Sequence, residues 1–209
     1  MNLLKKISKE ELLIGAAVFV VVYYFFSKNS NKTTKKESEK LFRLSDPDFK
    51  LRDWKMTDAQ LTAKFKNIAG PSYNKFIEDV KAIPMEPIVA IRQLYTESSF
   101  SPDVISCKRV SSAGAKGIAQ FMPGTWPSYG KGSPCNVSDS LEAYPKIMKE
   151  LVNKFPGRLD LALAGYNWGP NRTILKNALA NNTPFIDLKP NIPKETYGYA
   201  TSILRPKND

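Results

Sequence analysis

The chain has 209 residues, 42% of them hydrophobic, with two cysteines and no histidine. That suffices for one domain of ordinary size plus attachments, and it excludes Ser-His and Cys-His catalysis, histidine metal ligation and a structural zinc site, leaving proton transfer to carboxylates, Lys or Tyr. The formal net charge of +11 favours an anionic partner such as nucleic acid, an acidic lipid surface or an acidic wall polymer, but no nucleic-acid reader motif accompanies it.

Leu12 to Phe26 contains no charged residue. Lys5, Lys6 and Lys9 precede it, and Lys28, Lys32, Lys35 and Lys36 follow. A spanning helix needs about 17–25 apolar residues. This run is short, and snorkelling lysines with interfacial Tyr23 and Tyr24 extend it. A signal-peptide cleavage site wants small residues, whereas this run ends in two tyrosines and two phenylalanines. Residues 1–27 are therefore predicted to be an uncleaved, single-pass transmembrane anchor. The excess of lysine after the span would hold the C-terminal side in the cytoplasm. Residues 28–40 carry no apolar side chain and read as a flexible linker.

Residues 41–70 form a lead-in segment without a clear assignment. Within it Asp58 is predicted to cap a helix running through Asn67, with Leu61, Phe65 and Ile68 on one face. Gly70-Pro71 then punctuates the chain. The main body is placed at 71–206. Tyr73, Phe76, Ile77 and Val80 have helical spacing. Pro87 suits the first turn of a new helix, whose apolar surface is Ile88, Ile91, Leu94 and Tyr95. Further helices are predicted at 139–154, 158–165, 171–181 and 193–204. No strand alternation appears, so the body is predicted to be mostly α.

Four short motifs follow one another in the body. The first is Glu97-Ser98-Ser99-Phe100. On the wheel of the helix that begins at Pro87, Arg92, Gln93, Thr96 and Glu97 make a narrow polar stripe with Ala90 and Leu94 beside it. Glu97 thus lies near the helix end on a polar–apolar border, where partial burial raises a carboxyl pKa, as a general acid for a glycosidic oxygen requires. The second runs from Gly114 to Pro123. Gly114 and Gly117 permit tight turns, and the amide of Gln120 suits an N-acetyl sugar. Cys107 and Cys135 flank this motif, and both a bridge and two free thiols fit the sequence. The third is Ala164-Gly165-Tyr166-Asn167-Trp168-Gly169, a stacking ring and an amide at a turn, with Trp168 as a further platform and Asn171 as a cap for the next helix. The fourth is Glu195-Thr196-Tyr197-Gly198-Tyr199. Glu195 and Tyr199 share a helix face; a hydrogen bond from Tyr199 to Glu97 across a cleft and a solvated helix with Tyr199 half-buried both fit the sequence.

This order of motifs resembles the family-1 type of lytic transglycosylase, of the soluble-lysozyme-like superfamily. The resemblance implies a lysozyme-like helical domain with a deep glycan cleft. It implies cleavage of the β-1,4 bond between N-acetylmuramic acid and N-acetylglucosamine in peptidoglycan, without water, leaving 1,6-anhydromuramic ends. By match, Glu97 is the acid and then the base, and Ser98, Gln120, Tyr166, Asn167, Glu195 and Tyr199 bind substrate or steady the acid. No metal or cofactor is implied. Two departures fall beside key residues: Gly117-Ile118-Ala119-Gln120 stands where the family has Gly-Leu-Met-Gln, and Gly165 and Trp168 stand where it has alanines. Ordinary glycosidases need two carboxylates, and no second one here sits in a nucleophile motif. A muramidase hydrolysing the same bond, or a non-catalytic anchored glycan- or nucleic-acid-binding component, are the alternative readings. The anchor, basic body and small size also resemble the wall-penetration enzymes of membrane-containing phages, which implies a virion membrane. A bacterial cell envelope is the other location the resemblance admits.

Overall fold

The structure is a computed structural model that describes residues 56–204. The predicted anchor over Leu12 to Phe26 and the linker over 28–40 lie outside the described residues. Among the described residues no helix is long and apolar enough to cross a membrane.

The described residues are helical throughout, as the periodicity predicts; the sole β feature among them is an isolated antiparallel bridge between Lys116 and Phe121. In chain order the helices are α1 (Asp58–Ala69), α2 (Tyr73–Lys81), α3 (Pro87–Ser98), α4 (Pro102–Ile105), α5 (Trp126–Tyr129), α6 (Val137–Lys154), α7 (Leu159–Trp168), α8 (Thr173–Ala180) and α9 (Lys194–Ile203). Short 3-10 turns cover Gly70–Ser72 and Phe185–Leu188.

α7 is the axis of the body. Leu161, Ala162, Leu163, Ala164 and Gly165 are all buried, the mark of a helix that is apolar all round and enclosed by its neighbours. It packs against α9 on one side and α6 on another, with α8 beside it. Small residues in this run let those helices approach. α3 packs on α1, α2 and α9. Its Ala90, Ile91 and Leu94 join Phe65, Phe76, Tyr144 and Met148 in one continuous core.

Three sequence expectations change. Asp58 does not cap α1: Thr57 does, in a reciprocal capping box with Gln60. Asp58 is instead buried against Arg92. The helix expected there forms as α1, and it is part of the body, not a separate lead-in, since Leu61 and Phe65 lie inside the shared core. The polar stripe of α3 also turns inward, since Arg92 and Gln93 are buried.

Candidate active site

α3 begins at Pro87, whose fixed φ suits a first helical turn. It ends just past Glu97, where Ser99 and Phe100 both adopt left-handed backbone at φ 50°. Non-glycine residues there cost about 1–3 kcal/mol each and persist only when their surroundings over-determine them. Here the surroundings are the rings of Phe65 and Tyr95, between which the buried Phe100 is packed. Ser98 belongs to this turn. Its hydroxyl donates to the Leu94 carbonyl and accepts from the Phe100 N–H. Expected to touch substrate, Ser98 is buried, does not line the cleft, and spends its hydrogen-bonding capacity on the helix end.

Glu97 is half-buried on the wall of a cleft of about 1500 Å³. The cleft brings together Glu97, Gln120, Tyr166, Asn167, Glu195 and Tyr199, six residues spread over about half the sequence. The Tyr199 hydroxyl donates to Glu97 Oε1 at 2.5 Å across the gap between α9 and α3. No hydrogen bond reaches Oε2 from the described residues. Burial raises the Glu97 pKa to about 7. The Tyr199 hydrogen bond opposes the rise, and the nearby negative charge of Glu195 adds to it.

Two more tyrosines stand close enough to feel Glu97. Burial first, then the Glu97 charge, holds the phenols of Tyr144 and Tyr166 well above their ordinary value; Tyr199 is raised in the same way. All three therefore stay protonated and serve as donors. Each has its own acceptor. Tyr166 donates to the Ala119 carbonyl at 2.6 Å, and Tyr144 donates to Gln93 Oε1 at 2.6 Å. The Tyr166 bond ties α7 to the second motif, directly beside Gln120.

Gln120 sits in a turn at φ 50° and donates from Nε2 to the Gly117 carbonyl at 2.8 Å. Asn167 accepts from the Thr196 hydroxyl at 2.7 Å, which joins the third motif to the fourth. Tyr166 and Asn167 lie in the last turn of α7, since the helix predicted to stop at 165 runs on to Trp168. Trp168 does not line the cleft, and the Arg172 guanidinium lies over one face of its ring at 4.6 Å. Asn171 does not cap α8, which begins after Arg172, and accepts instead from Lys154.

One cleft wall, including Ser111, Ser112, Gln120 and Met122, falls within the loop closed by the Cys107–Cys135 disulfide. The opposite rim carries Lys189 and Lys194. The sequence had singled out none of Thr96, Ser111, Ser112, Lys189 or Lys194 as cleft residues. Thr96 alone left a trace, as a member of the polar stripe on α3. The others lie on turns and helix ends with no periodic signal.

The family described as Transglycosylase SLT domain matches residues 72–188. Among solved structures, the fold is similar to that of the 70 kDa soluble lytic transglycosylase of Escherichia coli, with a TM-score of 0.53 and 22% sequence identity. That match covers 70% of this chain and 26% of the other, so the chain spans about a quarter of that enzyme's length.

Proposed function

Since this chain belongs to the transglycosylase SLT domain family, we propose that it cleaves the β-1,4 bond between N-acetylmuramic acid and N-acetylglucosamine in peptidoglycan as a lytic transglycosylase. Glu97, protonated, gives its proton to the bridging oxygen as the bond to the muramic anomeric carbon breaks. The carboxylate left behind then takes the proton of the muramic 6-hydroxyl as that oxygen bonds to the same carbon. The glycan ends in a 1,6-anhydro ring, no water is consumed, and Glu97 regains its proton. A pKa of about 7 suits a group that must release and recover one proton near neutrality.

The observation that carries this reading is the pairing of Glu97 with Tyr199 in the cleft. The Tyr199 hydroxyl orients one carboxyl oxygen and leaves the other for the scissile bond. Gln120 and Asn167 present amides for N-acetyl and hydroxyl groups, and Tyr166 presents a ring for a sugar face. The full chain digesting purified peptidoglycan should release fragments with anhydromuramic ends by mass spectrometry.

One observation favours a second reading. Glu195 lines the same cleft and its charge is felt at Glu97, so a muramidase with Glu195 as its second carboxylate is the alternative. Reducing muramic ends, lost in Glu195→Gln, would establish hydrolysis in place of the lyase reaction. The proposal also includes attachment to a membrane through Leu12 to Phe26, in a phage virion or a bacterial envelope. The basic chain suits a carboxylate-bearing wall polymer.

A further inference from the structure

Arg92 lies five positions before Glu97 on α3 and is buried behind the cleft. Its Nε donates to Asp58 Oδ1 at 3.0 Å and its Nη2 to Asp58 Oδ2, at the first position of α1. Its Nη1 donates to the Ile203 carbonyl at 3.1 Å, in the last turn of α9. One planar guanidinium thus joins three helices. Two of these carry the two ends of the Glu97–Tyr199 hydrogen bond, and Ile203 lies one turn beyond Tyr199 on the same side of α9. The Arg92 carbonyl in turn accepts from the hydroxyl of Thr96, a cleft residue.

A two-pronged arginine–carboxylate contact sets direction as well as distance. It is a poor device for stability alone, because apolar residues of similar volume often replace a buried ion pair without loss. Its geometry is better matched to holding two helices in register. Asp58 and Ile203 both fall outside the 72–188 segment matched to the family, so the contact links that segment to the elements on either side of it.

We propose that Arg92, anchored by Asp58 and bonded to Ile203, is a positioning residue that seats α9 against α3 and thereby sets the hydrogen bond from Tyr199 to Glu97. The inference rests on Glu97 being the acid, as proposed above. The titratable groups facing Glu97 are Tyr199 and Glu195 from α9, Tyr144 from α6 and Tyr166 from α7. Arg92 acts on it through α9.

The test uses the full chain carrying Asp58→Leu with Arg92→Met, which removes both charges of the pair together. A second variant, Arg92→Lys, keeps the charge but lacks the fork that reaches Ile203. Far-ultraviolet circular dichroism checks folding, and peptidoglycan turnover is followed from pH 5 to 9. In both variants kcat should fall, in the double variant on the order of ten- to a hundredfold, with KM changed less than about twofold. The alkaline limb of the profile should move upward, because losing the Tyr199 hydrogen bond removes what lowers the Glu97 pKa. Tyr199→Phe should move the limb in the same direction, and adding the double substitution to it should move the limb no further.

A folded double variant with wild-type kcat and an unmoved limb overturns the proposal, as does a limb shift that simply adds to that of Tyr199→Phe. Should the double variant not fold, Arg92→Lys decides by the same two readouts. Glu97→Gln runs alongside. If it is inactive while the tie variants are normal, positioning alone is wrong; if it turns over substrate, the acid assignment fails and the positioning role falls with it.

Discussion

As the proposed acid, Glu97 has to be dry enough to keep a proton near neutrality and wet enough to meet substrate. Its half-buried place on the cleft wall achieves both, with a pKa of about 7 set chiefly by burial. Turnover should therefore be high on the acid side and fall as pH rises through about 7, which a pH–rate profile on soluble glycan will show. The same shift has a consequence for folding. Below the ordinary carboxyl pKa, folded and unfolded chains both hold the proton. Between there and about 7 the folded chain keeps it while the unfolded chain loses it, so stability falls as pH rises across that window. Glu97→Gln removes the penalty. It should abolish turnover yet raise stability at pH 8 by up to about 3 kcal/mol, with almost no difference at pH 4.5, as read by denaturant melts at the two pH values. The residue stood out in sequence because the order of the four motifs resembles a known family; helix periodicity added only that it sits on a polar–apolar border, which many surface glutamates share. Its neighbour Ser98 was misplaced, because sequence order cannot tell a hydroxyl aimed at the cleft from one folded back onto its own helix end.

At the scale of elements, the cleft wall opposite α9 is a loop held by covalent and steric means. Gly117 has φ +75°, and a Cβ there would lie 1.7 Å from the Pro134 carbonyl oxygen. Gly117→Ala is accordingly expected to lower stability by at least about 2 kcal/mol, measured by urea unfolding, and to weaken glycan binding because Gln120 hangs on the Gly117 carbonyl. The disulfide closes a span of 28 residues around this wall. Replacing Cys107 and Cys135 together by serine should cost about 3–4 kcal/mol on loop-closure arithmetic and raise KM, and reductant should do the same to the unmodified chain. The positions of α1, α2, α3, α6, α7, α8 and α9 were legible to within a few residues, since 3.6-residue periodicity and prolines mark them, while the single-turn α4 and α5 are too short to show a period. The extension of α7 through Tyr166 and Asn167 was not. Gly169 and Pro170 mark the stop, but Tyr166 and Asn167 are tied by hydrogen bonds to Ala119 and Thr196, in segments far away in the chain.

For the whole molecule, the proposed function makes charge and membrane attachment set where the chemistry happens. With a net charge of +11, binding to insoluble peptidoglycan should weaken steadily as salt rises toward about 1 M, where the screening length is near 3 Å; a pull-down against salt will show the slope. Deleting Leu12 to Phe26 should release the chain from liposomes in flotation while leaving turnover on soluble glycan unchanged. Composition alone restricted the chemistry, because a chain without histidine has few groups that exchange protons near neutrality. Helix periodicity indicated the helical class, since that is a property of local spacing, and the resemblance carried by motif order pointed to Glu97 as the proposed acid and to most of the residues that share its cleft. The tertiary structure decided what local spacing cannot encode. It joined Cys107 to Cys135, buried Arg92 against Asp58, and brought Tyr199, 102 positions along the chain, within hydrogen-bonding distance of Glu97. Contacts between residues so far apart arise only once the helices have packed around α7, because which faces meet is settled by the shared core and not by either segment alone.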